Sequence, residues 1–315
     1  MTCIYGKPKK KKTSDALAAF PRALFIGVPS AITLVAQNEL GFTPAVFPQP
    51  PTTLDAVVEL LQQLDRQGAA EQYGAIVCDD LSHICKQSML EWEVNAPKGR
   101  SGKSDRFYPY QQLNKRLLQL SALSRHLGCH LVTIFHERPP SSTNEGVFCP
   151  GGPDVPSRKQ VETVPSWCDI NLRAIIDPEY PDPWFPGAYY CDPSDPEWVT
   201  GDRTGVCKGR TPGNLREILR ASHSDYRLDR LPDFDWQDDV ADEMAEYVVK
   251  GADIRESVVT LAAVHAAYPP LHVRWALQDG IARGVLQLRH SRGLFDFEPV
   301  INPSSENPLL PPPPA

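Results

Sequence analysis

Five lysines crowd into six positions near the start of the chain, Lys7 and Lys9 to Lys12, and a hydroxyl, Thr13, follows them. Against the pattern G-x-x-x-x-G-K-[ST], Gly6 fills the first glycine, Lys12 the lysine and Thr13 the hydroxyl, while Lys11 stands where the second glycine is expected. A loop of this kind wraps phosphates with backbone N–H groups, and the helix that follows adds partial positive charge. The lysine neutralises phosphate oxygens and the hydroxyl holds Mg²⁺. Gly6, Lys9, Lys10, Lys11, Lys12, Thr13 and Ser14 are therefore candidate ligand-binding residues. A left-handed backbone at Lys11 would cost about 1–2 kcal/mol. A solvated basic patch or a localisation signal is the plain alternative for so many lysines.

A second group follows at Ala75–Cys78, an apolar run ending in Asp79-Asp80. An acid at the carboxyl end of a central strand can hold the water shell of Mg²⁺ beside a phosphate loop, so Thr13, Asp79 and Asp80 are the candidate metal residues. A third buried run, Cys129–Phe135, ends in His136-Glu137, polar groups at a strand tip that could face the same phosphates; a His satisfied by a nearby carbonyl is the alternative. Arg203, Lys208 and Arg210 cluster after Gly201 and could reach a nucleotide on a neighbouring subunit, or simply form a basic turn.

The elements that must position these groups can be read in order. Cys3–Tyr5 forms a first strand, Ser14–Phe20 a helix and Arg22–Gly27 a strand. Ile32–Leu40 is a candidate helix and Ala45–Phe47 a brief strand. Thr53 caps a helix whose Leu54, Val57, Val58, Leu61 and Leu64 recur at helical spacing. A helix over 109–127 carries Leu113, Leu117, Leu120 and Leu123 on one face and ends at Gly128. Ile170–Ile176, Tyr189-Tyr190 and Trp198–Thr200 read as later strands joined by Asp/Pro-rich turns, and a short helix starts near Pro212. Arg138–Trp167 reads as a long loop. The segment 90–110 is polar, with Lys98, Arg100, Lys103 and Arg106 beside Phe107, Tyr108 and Tyr110. That mixture suits single-stranded nucleic acid, or an exposed loop whose rings anchor the next helix.

Composition sets the frame. The chain has 315 residues, 41% hydrophobic and 23% charged, with a formal net charge of −7, so no global charge marks it as a nucleic-acid binder. Its eight cysteines form no C-x-x-C pair, and no apolar run approaches the ~20 residues of a membrane helix, which makes a cytoplasmic location the expectation. Beyond Asp225 the pattern changes to three helix candidates, 236–250, 254–267 and 271–288, with no strong strands, and the Pro-rich end reads as disordered. The expected layout is a core over 1–224, a helical region over 225–300 and a tail over 301–315.

Strand, phosphate loop, helix, and then strands ending in acids and a polar tip define a mainly parallel α/β core. These pieces, with Gly151-Gly152-Pro153 to Lys159, Asp169–Arg173 and Gly201–Arg203 running into Pro212–Leu215, resemble the RecA-like P-loop ATPases. The likeness is greatest to the compact phage-encoded recombination or single-strand-annealing type with an AAA-type domain, and it covers about residues 1–221. It implies ATP and Mg²⁺ as cofactors, Lys12 and Thr13 on phosphate and metal, and Asp79 or Asp80 as the acid. It further implies His136 as γ-phosphate sensor and Arg203 or Lys208 acting in trans in a homo-oligomer. Single-stranded DNA would lie on loops 94–108 and 138–167. Two departures stand out. Lys11 replaces a glycine, and Gly27–Ser30 holds no acid where the family carries its catalytic glutamate. Asp80 or Glu137 would have to orient water instead. A non-hydrolysing DNA-binding or assembly subunit is thus the alternative expectation. A P-loop kinase is a third, without an evident Arg-rich lid to support it.

Overall fold

The computed structural model describes residues 1–20, 22–29, 32, 44–98, 102–176, 187–212, 215–222, 286–291 and 294–299. The short apolar runs become strands. They are β1 (Thr2–Gly6), β2 (Ala23–Ile26), β3 (Ala45–Val46), β4 (Ala75–Cys78), β5 (His130–Arg138) and β9 (Ile170–Ile176). These six pair in parallel in the order β9-β1-β5-β4-β2-β3. Strands buried on both faces carry continuous rather than alternating apolar sequence, as Ala-Leu-Phe-Ile in β2 does. The expected α/β class with a mainly parallel central sheet is the one the chain adopts. Two antiparallel strands, β10 (Gly187–Cys191) and β12 (Gly209–Pro212), extend the sheet beyond β9.

Helices cover both faces. On one, α2 (Leu54–Arg66), α3 (Leu81–Val94) and α4 (Tyr108–Leu123) bury Leu54, Val57, Leu61, Ile84, Met89, Leu113 and Leu117 against Tyr5, Ile26, Ile76 and Phe135. Thr53 Oγ1 caps α2 by accepting from Ala56 N at 3.3 Å. The other face carries α1 (Lys12–Ala19), packed on β1, β5 and α6 (Leu215–Ser222). Asp15, buried in the first turn of α1, accepts hydrogen bonds from Tyr189 Oη and from Leu215 N, so one carboxylate fastens β10 and α6 to α1.

Several expectations change. The loop expected over 138–167 is built: β6 (Ser141–Ser142) pairs with β7 (Phe148–Cys149), β8 (Gly152–Pro153) pairs with the end of β5, and α5 (Arg158–Trp167) follows. Two-residue strands are too short to show a periodicity in the sequence, so only their pairing, local for β6 with β7 and across 14 to 16 residues for β8 with β5, reveals them. Helix α3 occupies 81–94, where the sequence suggested only the start of a polar interruption; Asp80 caps it. The strand expected at Trp198–Thr200 is displaced to β11 (Gly201–Asp202), paired with β9, while Trp198 makes a single bridge to Gly151.

The chain divides into two compact units, residues 1–35 with 43–231, and residues 36–42 with 232–315. In the second, β13 (Leu286–Ser291) and β14 (Leu294–Pro299) form an antiparallel hairpin in a region expected to lack strong strands. Its period-two pattern, Leu286/Leu288 and Phe295/Phe297 around Arg292-Gly293, is a hairpin signature that the helical reading of 271–288 overrode. The helix candidates 236–250 and 254–267, the rest of 271–288, most of 32–40 and the 301–315 tail lie outside the described residues.

Candidate functional site

The phosphate-loop candidate begins where β1 ends. A Cβ on Gly6 would sit 2.6 Å from the carbonyl oxygen of Ala174 on β9, so the close approach of two strands demands glycine there. The loop then turns through two left-handed residues, Lys9 (φ 63°) and Lys11 (φ 61°), and Lys11 is the N-cap of α1. Each such residue costs about 1–2 kcal/mol relative to glycine. Lys12 Nζ donates to Gly6 O at 3.0 Å and Lys7 O at 2.9 Å. Only 8% of Lys12 is exposed, and this desolvation lowers its pKa; the carboxylates of Asp79, Asp80 and Glu137 act in the opposite direction.

One residue on, Thr13 Oγ1 donates to Asp79 Oδ2 at 2.5 Å, joining the loop directly to the end of β4. Burial raises the pKa of Asp79, partly offset by that hydrogen bond. Asp80 is engaged otherwise. Its Oδ1 accepts from Ser82 N (2.7 Å) and His83 N (3.3 Å) at the start of α3, and its Oδ2 meets His136 Nε2 at 2.8 Å. Gly27 packs against this corner, where a Cβ would fall 2.1 Å from Asp79 O.

Strand β5 lies between β1 and β4, so its tip is inserted between the loop and the acids. His136 stands opposite Gly6 in the register and donates its backbone N–H to Ser82 Oγ at 3.0 Å. Its Nδ1 is buried without a hydrogen-bond partner. Glu137, with a side chain 6% exposed, accepts from Arg173 Nε at 3.2 Å. The Arg173 guanidinium carbon lies 3.2 Å from the centre of the Trp198 ring, which stacks on Tyr5. Outside this layer Asp154 holds Lys86 (2.5 Å) and Arg138 (3.2 Å), and its N–H donates to His136 O at 2.8 Å.

The AAA domain family matches residues 1–204. The chain belongs to that family of P-loop ATPases. No curated protein matches it. Among solved structures it is similar to the RadB recombinase, with 14% identity over 56% of this chain and 74% of that one and a TM-score of 0.34. It is also similar to a KaiC-like protein from the hyperthermophilic archaeon Pyrococcus horikoshii, with 10% identity over 60% and 75% of the respective chains and a TM-score of 0.34.

In this AAA domain the sequence candidates fall into two sets. Gly6, Lys9 to Ser14, Asp79, Asp80, His136 and Glu137 gather at the carboxyl ends of β1, β4 and β5, where ligands of open parallel sheets bind. Ser14 faces inward and is buried. Arg203 and Lys208 do not join them. Arg203 follows β11, whose Asp202 pairs with the first residue of β9, at the amino end of the parallel strands. Its guanidinium contacts Ser166 O and lies 3.6 Å from Asp169 Oδ1. Lys208 precedes Gly209, which pairs with Cys191 well short of the loop end of β10, and is exposed. The return of β11 and β12 sets both apart from the loop of their own chain, and the expectation that either acts on a neighbouring subunit's nucleotide concerns an assembly outside this single chain.

Three residues of the site escaped the sequence reading. Ser82 was legible as the third residue of an Asp-x-Ser capping pattern. Arg173 is a lone cation in the buried strand Ile-Asn-Leu-Arg-Ala-Ile-Ile, a signal in itself. Asp154 leaves no local signal.

The donors at the loop suit Mg²⁺. The Thr13 hydroxyl and the Asp79 carboxylate are hard oxygen ligands, and among the described residues no group of three or more His, Cys, Asp or Glu side chains is arranged to hold a metal. Mg²⁺ in nucleotide sites takes one or two protein oxygens and fills its shell with phosphate and water. Among the described residues no helix is long and apolar enough to cross a membrane.

Proposed function

We propose that the chain binds ATP with Mg²⁺ at the Gly6–Ser14 loop and acts on single-stranded DNA as a homo-oligomer. The observation that carries the nucleotide site is the 2.5 Å contact from Thr13 to Asp79, which joins loop and acid at the carboxyl end of the sheet. Backbone N–H groups of the loop and the first turn of α1 hold the phosphates, and Lys12 exchanges its two carbonyl partners for phosphate oxygens. Bound Mg²⁺ would neutralise charge between the β- and γ-phosphates, with Thr13 as ligand and Asp79 behind it. Asp80 positions His136 at the strand tip beside the loop, where its ring would sense a γ-phosphate group.

Support for the DNA partner is the segment after α3. Phe107 is 73% exposed, and Tyr110, Lys98, Lys103 and Arg106 are exposed around it. The β6–β7 hairpin presents Val147 and Phe148, and Arg158 and Lys159 lie exposed at the start of α5. Helix α3, about 20 Å long, connects the first segment to Asp80. Titration of a fluorescent ATP analogue into wild type and Lys12→Ala, with and without single-stranded DNA, tests the reading. Wild type is expected to bind, Lys12→Ala to fail, and DNA to raise phosphate release. Equal binding by the variant would sink the site.

One observation favours a second reading, a non-hydrolysing assembly subunit. Glu137 is tied to Arg173, both oxygens of Asp80 are engaged, and Gly27–Ser30 supplies no acid. Phosphate release abolished by Glu137→Gln would remove it.

A further inference from the structure

Lys9 and Lys11 occupy the two left-handed positions of the loop, where glycine is the unstrained residue. Strain retained at a ligand site points to a use for the side chains that cause it. Lys7 and Lys9 are exposed and Lys10 and Lys11 half-buried, so none of these four residues belongs to the core. The charge of Lys10 is close enough to Lys12 to disfavour its protonated form. Acting on Lys12 from the other side are Asp79, Asp80 and Glu137, carboxylates that would repel a triphosphate and that a divalent cation ordinarily screens.

We infer that Lys7, Lys9, Lys10 and Lys11 act as a built-in counter-ion that lets the loop take the metal-free nucleoside triphosphate, so that binding depends little on Mg²⁺ and strongly on ionic strength. This role rests on the nucleotide site proposed for the loop. A metal-free triphosphate carries about four negative charges, and Lys12 by itself would leave most of that facing the three carboxylates. Four further lysines in the same loop reverse the balance of formal charge there. Such a site would retain nucleotide when Mg²⁺ is scarce and keep the metal for a later step.

The test is equilibrium binding of a fluorescent ATP analogue to the full chain, in excess Mg²⁺ or in EDTA, at low and high NaCl. Wild type is expected to bind within about threefold in the two buffers, with affinity falling steeply as salt rises. The double variant Lys9→Gly/Lys11→Gly relieves backbone strain and so folds. It is expected to lose roughly tenfold more affinity in EDTA than in Mg²⁺, with a shallower salt slope. A wild type that loses as much as the variant on removing Mg²⁺ overturns the counter-ion role while leaving the nucleotide site standing. Lack of binding in both buffers overturns the nucleotide site and this role with it. Lys9→Arg/Lys11→Arg, which keeps charge and strain, is expected to behave as wild type; failure to do so also counts against the inference.

Discussion

The two ends of the parallel sheet treat charge in opposite ways. At the amino end, the Met1 ammonium group pairs with Asp169 at 2.8 Å, Arg203 leans on the same carboxylate, and both acid and guanidinium are well exposed. Each charge there has a partner, and the two side chains also meet water. At the carboxyl end, Lys12 and Asp79 are buried, and burial works against the charged form of each. His136 keeps a buried ring nitrogen without a partner, and Lys9 and Lys11 hold strained backbone. Arg203 and Lys12 are both basic loop residues in the sequence. What separates them is burial: one end keeps its charged side chains paired at the surface, and the other holds desolvated charges at a cost in stability.

That contrast can be broken or sharpened by experiment. Lys12→Ala is expected to weaken nucleotide binding by about a hundredfold or more, since it removes the buried cation at the loop. Binding isotherms check it. Arg173→Ala leaves Glu137 buried and unpaired and removes the stack on Trp198, and should cost about 2 kcal/mol in urea unfolding. Arg173→Lys should cost less than Arg173→Ala, because charge returns without the planar face.

Asp79→Asn tests the strained end by pH. Burial puts the folded pKa of Asp79 above its ordinary 3.8, so the folded chain holds this proton more tightly than the unfolded chain does. Its ionisation therefore removes stability as pH rises from about 3.8 through the folded pKa. The Asn variant, which can still accept from Thr13, should melt higher than wild type at neutral pH, with the gap closing toward pH 4. Thermal melts across pH show this, and the same variant should bind Mg²⁺-nucleotide less well. The smallest effect is expected at the other end. Arg203 is 60% exposed, and Arg203→Ala should change stability by about 0.5 kcal/mol and leave nucleotide affinity alone. If the same change abolished phosphate release in an assembled oligomer, Arg203 would act across a subunit boundary and the amino end would not be merely structural.

Sequence alone determined what depends on neighbours along the chain. The apolar runs of β2, β4 and β9, the capped helix α2, and the loop types Gly6, Lys12 and Thr13 were legible because strand burial, capping and a left-handed turn are local demands. The left-handed state of Lys11 followed from its place in the pattern. Tertiary structure decided everything that depends on which strand lies beside which. Inserting β5 between β1 and β4 put His136 against Gly6 and Asp80, the pairing of β8 with β5 ordered a segment that reads as loop, and the return of β11 sent Arg203 to the far end. Asp79 and Asp80 are equivalent as adjacent letters in the chain. Geometry separates them, since only a folded corner can hand one carboxylate to Thr13 and the other to a helix terminus and a histidine.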